Sequence, residues 1–194
     1  MIWFLLMMGL LSTLDTSHSL PDILVVRLGE EDVFNDLPSE EILTNTLFSS
    51  NEETPSIRSF LFQESGGTFD LSPFGSGSEL YNLTVPSRVV EVCNFHFWTG
   101  RVRSQLEFEG IFHQDFWSLF IILPQQVIER CGISRQSVED TFGIQPNCDP
   151  SISPLDVDIY PDNCIGFILS VNPGDILSEF GRLLGIGLSY LGSQ

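Results

Sequence analysis

Apolar positions along this chain fall into short runs separated by acidic, proline-rich and glycine-rich stretches, and their spacing predicts alternating strands and helices. Ile23 to Leu28 is a compact apolar run interrupted only by Arg27, the pattern of a first core strand. An acidic loop follows through Asp36. Pro38 then suits the first turn of a helix, with Glu40 and Glu41 at its positive end and Ile42, Leu43, Leu47 and Phe48 as its apolar side. A second helix is signalled by Thr54 as cap, Pro55 at the first helical position and Gly66-Gly67 at the end, with Ile57, Phe60, Leu61 and Glu64 at helical spacing between them. Thr68 to Leu71 and Leu80 to Val85 alternate as strands do.

From Pro86 to Glu109 the spacing of Val89, Val90, Cys93, Phe97 and Leu106 favours helix, although Val89 to Val92 also fits a strand. Trp117 to Pro124 is almost wholly apolar and reads as a central strand. Asn147 to Asp162 is rich in Pro, Asp and Ser and reads as a loop. Ile165 to Val171 is the last strand, and it feeds a helix from Asp175 to about Leu184. Leu177, Phe180, Leu184 and Leu188 recur there at helical spacing, and Gly185 supplies the stop. The class predicted is α/β, without internal repeats or low-complexity tracts.

The N-terminus follows a different rule. Ile2 to Leu11 is apolar, broken only by Gly9, and too short to cross a bilayer as a helix. Ser17-His18-Ser19 then offers small side chains before Leu20. Residues 1–19 therefore read as a signal peptide, although Lys and Arg are missing from its start. Residues 20–194 form one domain, long enough to bury a core. No later apolar run is long enough to span a membrane, so the expected product is secreted, extracellular and not inserted in a membrane.

The formal charge of −18 comes with no Lys at all, the eight basic residues being Arg. A phosphate backbone would be repelled, which excludes nucleic acid as a partner, and an anionic membrane surface is excluded on the same ground. The four cysteines Cys93, Cys131, Cys148 and Cys164 are widely spaced without a Cys-x2-Cys pair. In a secreted chain they predict two disulfides, with the connectivity open, rather than a thiolate zinc site. Asn82-Leu83-Thr84 is an N-glycosylation sequon. His96 and His113 lie outside any His-x3-His pair, so neither reads as a ligand. No Gly-x-Ser-x-Gly elbow occurs, and Gly75-Ser76-Gly77 reads as a loop.

The candidate chemistry lies in Asp175-Ile-Leu-Ser-Glu-Phe-Gly-Arg-Leu-Leu-Gly-Ile-Gly-Leu-Ser189. The zinc-peptidase pattern H-E-x-x-H-x-x-G-x-x-H places two His on one helix face and turns the chain at a Gly so that a third reaches the same metal. Glu179 and Gly185 stand at the Glu and Gly positions, whereas Ser178, Arg182 and Leu188 stand at the three His positions. The segment resembles a metzincin zinc helix with every metal ligand replaced.

A second block points the same way. Ser56-Ile-Arg-Ser-Phe-Leu-Phe-Gln-Glu-Ser-Gly-Gly-Thr-Phe-Asp-Leu71 looks like the S-V-x-x-F-Y-x-E-x-S-Y-G-x-F-x-L block of gametolysin-type secreted metallopeptidases, departing from it at Gln63 and Gly66. The strand ending Ile121-Ile122-Leu123-Pro124 resembles the family's Y-D-x-x-V-x-I-L-P, with Phe116 and Trp117 at the Tyr and Asp positions, and Cys131-Gly132 resembles the C-G after it. The resemblance runs from about Ile23 to Ser189. It implies a metzincin-like N-terminal subdomain, a mixed twisted sheet with packed helices. Members continue into a C-terminal subdomain with a methionine turn. Here the sequence stops at Gln194, so the resemblance implies that the lower half of the cleft is missing.

Zinc lowers the pKa of bound water to about 7, on the order of 12 kcal/mol of nucleophile activation relative to bulk water. Glu179 matches the general-base position, but a lone carboxylate does not replace that activation. The resemblance therefore implies an inactive pseudopeptidase without a metal cofactor that binds a peptide or protein partner. The alternatives are residual zinc-dependent proteolysis and a diverged copy without a task. Glu179 and Arg182, three residues apart, are expected to form an exposed ion pair, worth only about 0–1 kcal/mol.

Overall fold

The computed structural model describes residues 22–29, 37–49, 56–67, 69–74, 80–85, 92–112, 115–142 and 164–183. Its centre is β1 (Ile23–Gly29), in which all seven residues are buried. A strand covered on both faces needs apolar residues at consecutive positions rather than alternating ones, which is why the run reads as continuous. β2 (Tyr81–Thr84), β3 (Ser118–Ile122) and β4 (Ile165–Ile168) complete a sheet in the order β2-β1-β3-β4. All three pairings are parallel, with Leu24 opposite Leu119 and Phe120 opposite Gly166. The mixed sheet expected from the resemblance is thus, among the described residues, wholly parallel.

Six helices are described: α1 (Glu40–Phe48), α2 (Ile57–Glu64), α3 (Phe95–Phe108), α4 (Gln125–Cys131), α5 (Arg135–Phe142) and α6 (Pro173–Leu183). The pleat sends successive β1 side chains to opposite faces. Ile23 and Val25 pack with Leu43 and Leu47 of α1, Ile57 and Leu61 of α2, and Ile176, Phe180 and Leu183 of α6. Leu24, Val26 and Leu28 pack with Trp98, Val102 and Leu106 of α3, Val127 of α4, and Val138 and Phe142 of α5. The architecture is α/β with helices on both faces of a parallel sheet. Arg27, though on β1, is only 7% exposed. Its guanidinium donates to Glu40 at 3.2 Å and to Asn82 at 2.9 Å, so the charge is paired where the strand passes α1 and β2.

Local chemistry shifts several expected boundaries. Ser39, one residue after Pro38, caps α1 by accepting the Ile42 N–H, and Ile42 faces solvent. Ser56 caps α2 through a reciprocal capping box with Ser59. Thr54 and Pro55 lie outside the described residues. Phe60 of α2 is exposed, and the buried side is Ile57 and Leu61. Gly66 and Gly67, at φ of 67° and 85°, end that helix as expected.

Of the strand expected at Thr68 to Leu71, the described residues Phe69 to Leu71 are not in a strand, and Thr68 lies outside the described residues. Phe69 and Leu71 are buried, but among the described residues this segment meets the sheet in one bridge at Pro73, where the Ser72 carbonyl accepts the Ile23 N–H and the Phe74 N–H donates to the Ile23 carbonyl. β4 stops at Ile168, because Ser170 and Asn172 turn the chain into α6.

α3 begins at Phe95, where the Asn94 side chain accepts the Phe97 N–H, and buries Trp98, Thr99, Val102 and Leu106. Phe97, one of the residues at helical spacing, is 36% exposed beneath the Arg101 guanidinium. The apolar spacing alone predicts neither α4 nor α5. Pro124 precedes α4, Gly132 ends it at φ 60°, and Ser134 opens α5 by exchanging hydrogen bonds with Ser137.

Cys93, just before α3, is disulfide-bonded to Cys131 at the end of α4, with Cα atoms 5.4 Å apart and a sequence separation of 38. Cys164 is disulfide-bonded as well, and no described cysteine is free. The expectations that fall on residues 1–19, Gly75 to Gly77, Val89, Val90, His113, Cys148, Asn147 to Asp162, Leu184, Gly185 and Leu188 lie outside the described residues. No described helix is long and apolar enough to cross a membrane.

The bridge between α3 and α4 joins two elements of one face. Replacing Cys93 and Cys131 together by Ser is expected to lower unfolding free energy by about 2–5 kcal/mol. Urea unfolding of the oxidised parent and the double variant measures the difference.

Candidate functional site

α6 begins two residues earlier than its apolar pattern indicates. Asn172 precedes it, accepting the Gly174 N–H on its side chain at 2.8 Å and the Asp175 N–H on its carbonyl at 3.1 Å. Pro173 takes the first helical position, where its missing N–H is not needed, and Asp175 lies in the first turn. Ile176, Phe180 and Leu183 are buried and Leu177 is partly so, and the Phe180 ring stacks on Phe120 with centroids 4.5 Å apart.

One glycine makes this close approach possible. A Cβ at Gly166 of β4 would lie 2.6 Å from the Phe120 ring and 3.3 Å from Cγ of Glu179. The absence of a side chain there lets both residues cross the face of β4.

Ser178, Glu179, Gly181 and Arg182 are buried together with the apolar stripe. Arg182 Nε donates to Glu179 Oε2 at 2.9 Å and Nη2 donates to Oε1 at 2.8 Å, a two-point ion pair. The same Nη2 donates to the Ile165 carbonyl at 2.6 Å, and the Phe167 N–H donates to Glu179 Oε1 at 3.0 Å. The two side chains are 1% and 7% exposed. The expectation of an exposed pair is therefore corrected. Each charge lies in the protein interior and is matched by its partner and by a backbone group of β4. In such a setting desolvation is large and good geometry is required for the pair to hold.

Ser178 Oγ accepts a hydrogen bond from Nη1 of Arg135, whose Nε donates to Glu139 at 2.8 Å. Arg135, Val138, Phe167, Leu169, Asp175 and Glu179 line a recess of about 180 Å³ beside the pair. Linear sequence held no signal for the Arg135 contact, since 43 residues separate it from Ser178. A local clue was only Ser134 followed by Arg135 and Glu139 at helical spacing.

The fold thus brings Ser178, Glu179 and Arg182 together and adds Arg135. Leu188 lies outside the described residues. The other sequence candidates sit elsewhere. His96 is exposed on α3 with its ring against Phe142, and no group of three His, Cys, Asp or Glu able to hold a metal occurs among the described residues. Asn82 is exposed on β2, where its Oδ1 accepts from Arg27 and its Nδ2 donates to Glu40.

The residues present do not fit the zinc ion that the resemblance implies. One guanidinium occupies the second His position, another is hydrogen-bonded to the serine at the first, and neither is an imidazole donor. Glu179 receives three hydrogen bonds from Arg182 and Phe167 and is held in an ion pair rather than poised to take a proton from water. No protein-family model, curated protein or solved structure matches this chain.

Arg182→Met is expected to cost about 3–5 kcal/mol, because it strands a buried carboxylate. Changing Glu179→Leu in the same chain is expected to restore part of that loss. A double variant less stable than Arg182→Met in urea unfolding would contradict the pairing. Gly166→Ala is expected to cost about 1–3 kcal/mol by overpacking against Phe120. The same unfolding measurement checks it.

Proposed function

We propose that this chain is a secreted, gametolysin-like pseudopeptidase that binds a peptide or protein partner without cleaving it. The reading rests on the order of the sequence blocks: an opening strand, the Ser56–Leu71 block, the strand before Pro124, Cys131-Gly132, and a last strand feeding the H-E-x-x-H-like helix. A parallel α/β sheet whose last described strand runs into α6 through a short turn is compatible with it.

The observation that carries the loss of catalysis is the buried Glu179–Arg182 pair. The residue at the general-base position is engaged by the residue at the second ligand position, and both are hydrogen-bonded to β4. Metal-activated water needs an open coordination position and a base within reach of it. With neither in place, what remains for a peptidase-like surface is recognition. Residues 1–19 have the pattern of an export signal and support an extracellular setting.

Secreted protein, purified without chelator, is expected to carry substoichiometric zinc and to leave a broad peptide library uncut. Stoichiometric zinc together with cleavage would overturn the proposal in favour of residual metallopeptidase activity. The triple variant Ser178→His, Arg182→His, Leu188→His tests the family reading separately. It is expected to gain zinc measurably, even though it loses the Arg182 pair. A folded triple variant that takes up no zinc would remove the metzincin assignment.

A further inference from the structure

We propose that the Glu179–Arg182 pair stands in for a neighbouring strand and closes β4, the edge of the sheet among the described residues, against strand addition by a second copy of this chain. In a parallel strand, alternate residues direct both backbone groups to the same side. The Cys164 carbonyl accepts the Leu119 N–H, and the register continues with Gly166 opposite Phe120, so this set faces β3. Ile165 and Phe167 belong to the other set. The Ile165 carbonyl and the Phe167 N–H are the acceptor and donor that a further strand would engage.

Side chains engage them instead. Arg182 Nη2 donates to the carbonyl at 2.6 Å, and Glu179 Oε1 accepts the N–H at 3.0 Å. The guanidinium supplies the donor and the carboxylate the acceptor, and the ion pair holds the two at the spacing of a strand. Gly166 between them gives the side chains room to cross from α6.

A closed edge has a physical purpose. β4 reads Ile-Gly-Phe-Ile, uncharged and apolar, and sheet edges of this kind template pairing with other chains. Proteins blunt such edges with inward-pointing charges or a covering helix, and α6 provides both. An identical edge is the matching partner, because a two-fold arrangement pairs the same four residues with themselves. The formal charge of −18 opposes close approach of two copies at low salt, so the latent pairing is best read at an ionic strength of about 0.15 M. This inference is independent of the pseudopeptidase reading.

The test is Glu179→Leu with Arg182→Met, which removes both charges yet keeps apolar bulk over the strand. Folding is checked by cooperative urea unfolding, and self-association by sedimentation over a concentration series. The variant is expected to associate about tenfold or more tightly than the unaltered protein, and its Phe167 amide to exchange about tenfold or more rapidly when dilute. On concentration, exchange at Phe167 is expected to slow again as strand pairing replaces the lost carboxylate. A folded variant that associates no more than its parent overturns the proposal. If the variant fails to fold, exchange in the unaltered protein decides. Protection of the Phe167 amide equal to that of Val25 and Phe120 supports closure, and exchange at the rate of loop amides overturns it.

Discussion

The contact between α6 and β4 depends on a buried charge pair that is matched on four sides. Glu179 and Arg182 bond to each other at two points and to the backbone of β4 at two more. The arrangement tolerates no partial version, because a guanidinium or a carboxylate left alone in that interior is far more costly than either is when matched. Gly166 and the Phe120–Phe180 stack set the distance at which the match is possible. Apolar packing draws the helix onto the sheet, and the polar pair determines where along the strand it comes to rest.

Elements governed by a continuous apolar run or by terminal chemistry were legible in the sequence. β1, β3 and the glycine stop of α2 required nothing beyond local pattern, since Ile23 to Leu28 and Ser118 to Ile122 are buried on both faces. Reading became inaccurate where a side chain's surroundings were set by distant residues. Phe69 and Leu71 alternate like a strand because they fill a core, whereas their backbone reaches the sheet only at Pro73. Helices α4 and α5 are short, and their capping signals at Pro124, Gly132 and Ser134 carried more information than their hydrophobic spacing. At the candidate site, the proximity of Glu179 to Arg182 followed from helical geometry. Its burial did not, because that depends on Ile165 and Phe167 approaching from another element.

Positions 178, 179 and 182 have the mutual arrangement that any helix gives to residues at that spacing. The chemistry those positions carry is a carboxylate and a guanidinium that neutralise each other and turn toward the backbone of β4, beside a hydroxyl that accepts from Arg135. Such a set is structural in its local effect, and the surface available to other molecules is defined by what lies around it, including the recess bordered by Arg135 and Asp175.

The parallel ladder of β1 with β3 bears on biosynthesis. β1 is made early, yet Leu24 pairs with Leu119, and its other neighbour, β2, begins only at Tyr81. A translating ribosome adding about 5–20 residues per second needs roughly 5–20 s to bring the second of these strands into existence. Until Tyr81 to Thr84 are made, the seven-residue β1, destined for burial on both faces, has no partner strand, and until Ser118 to Ile122 are made it has only one. Non-local parallel pairing of this kind makes the sheet late to form relative to the synthesis of its central strand.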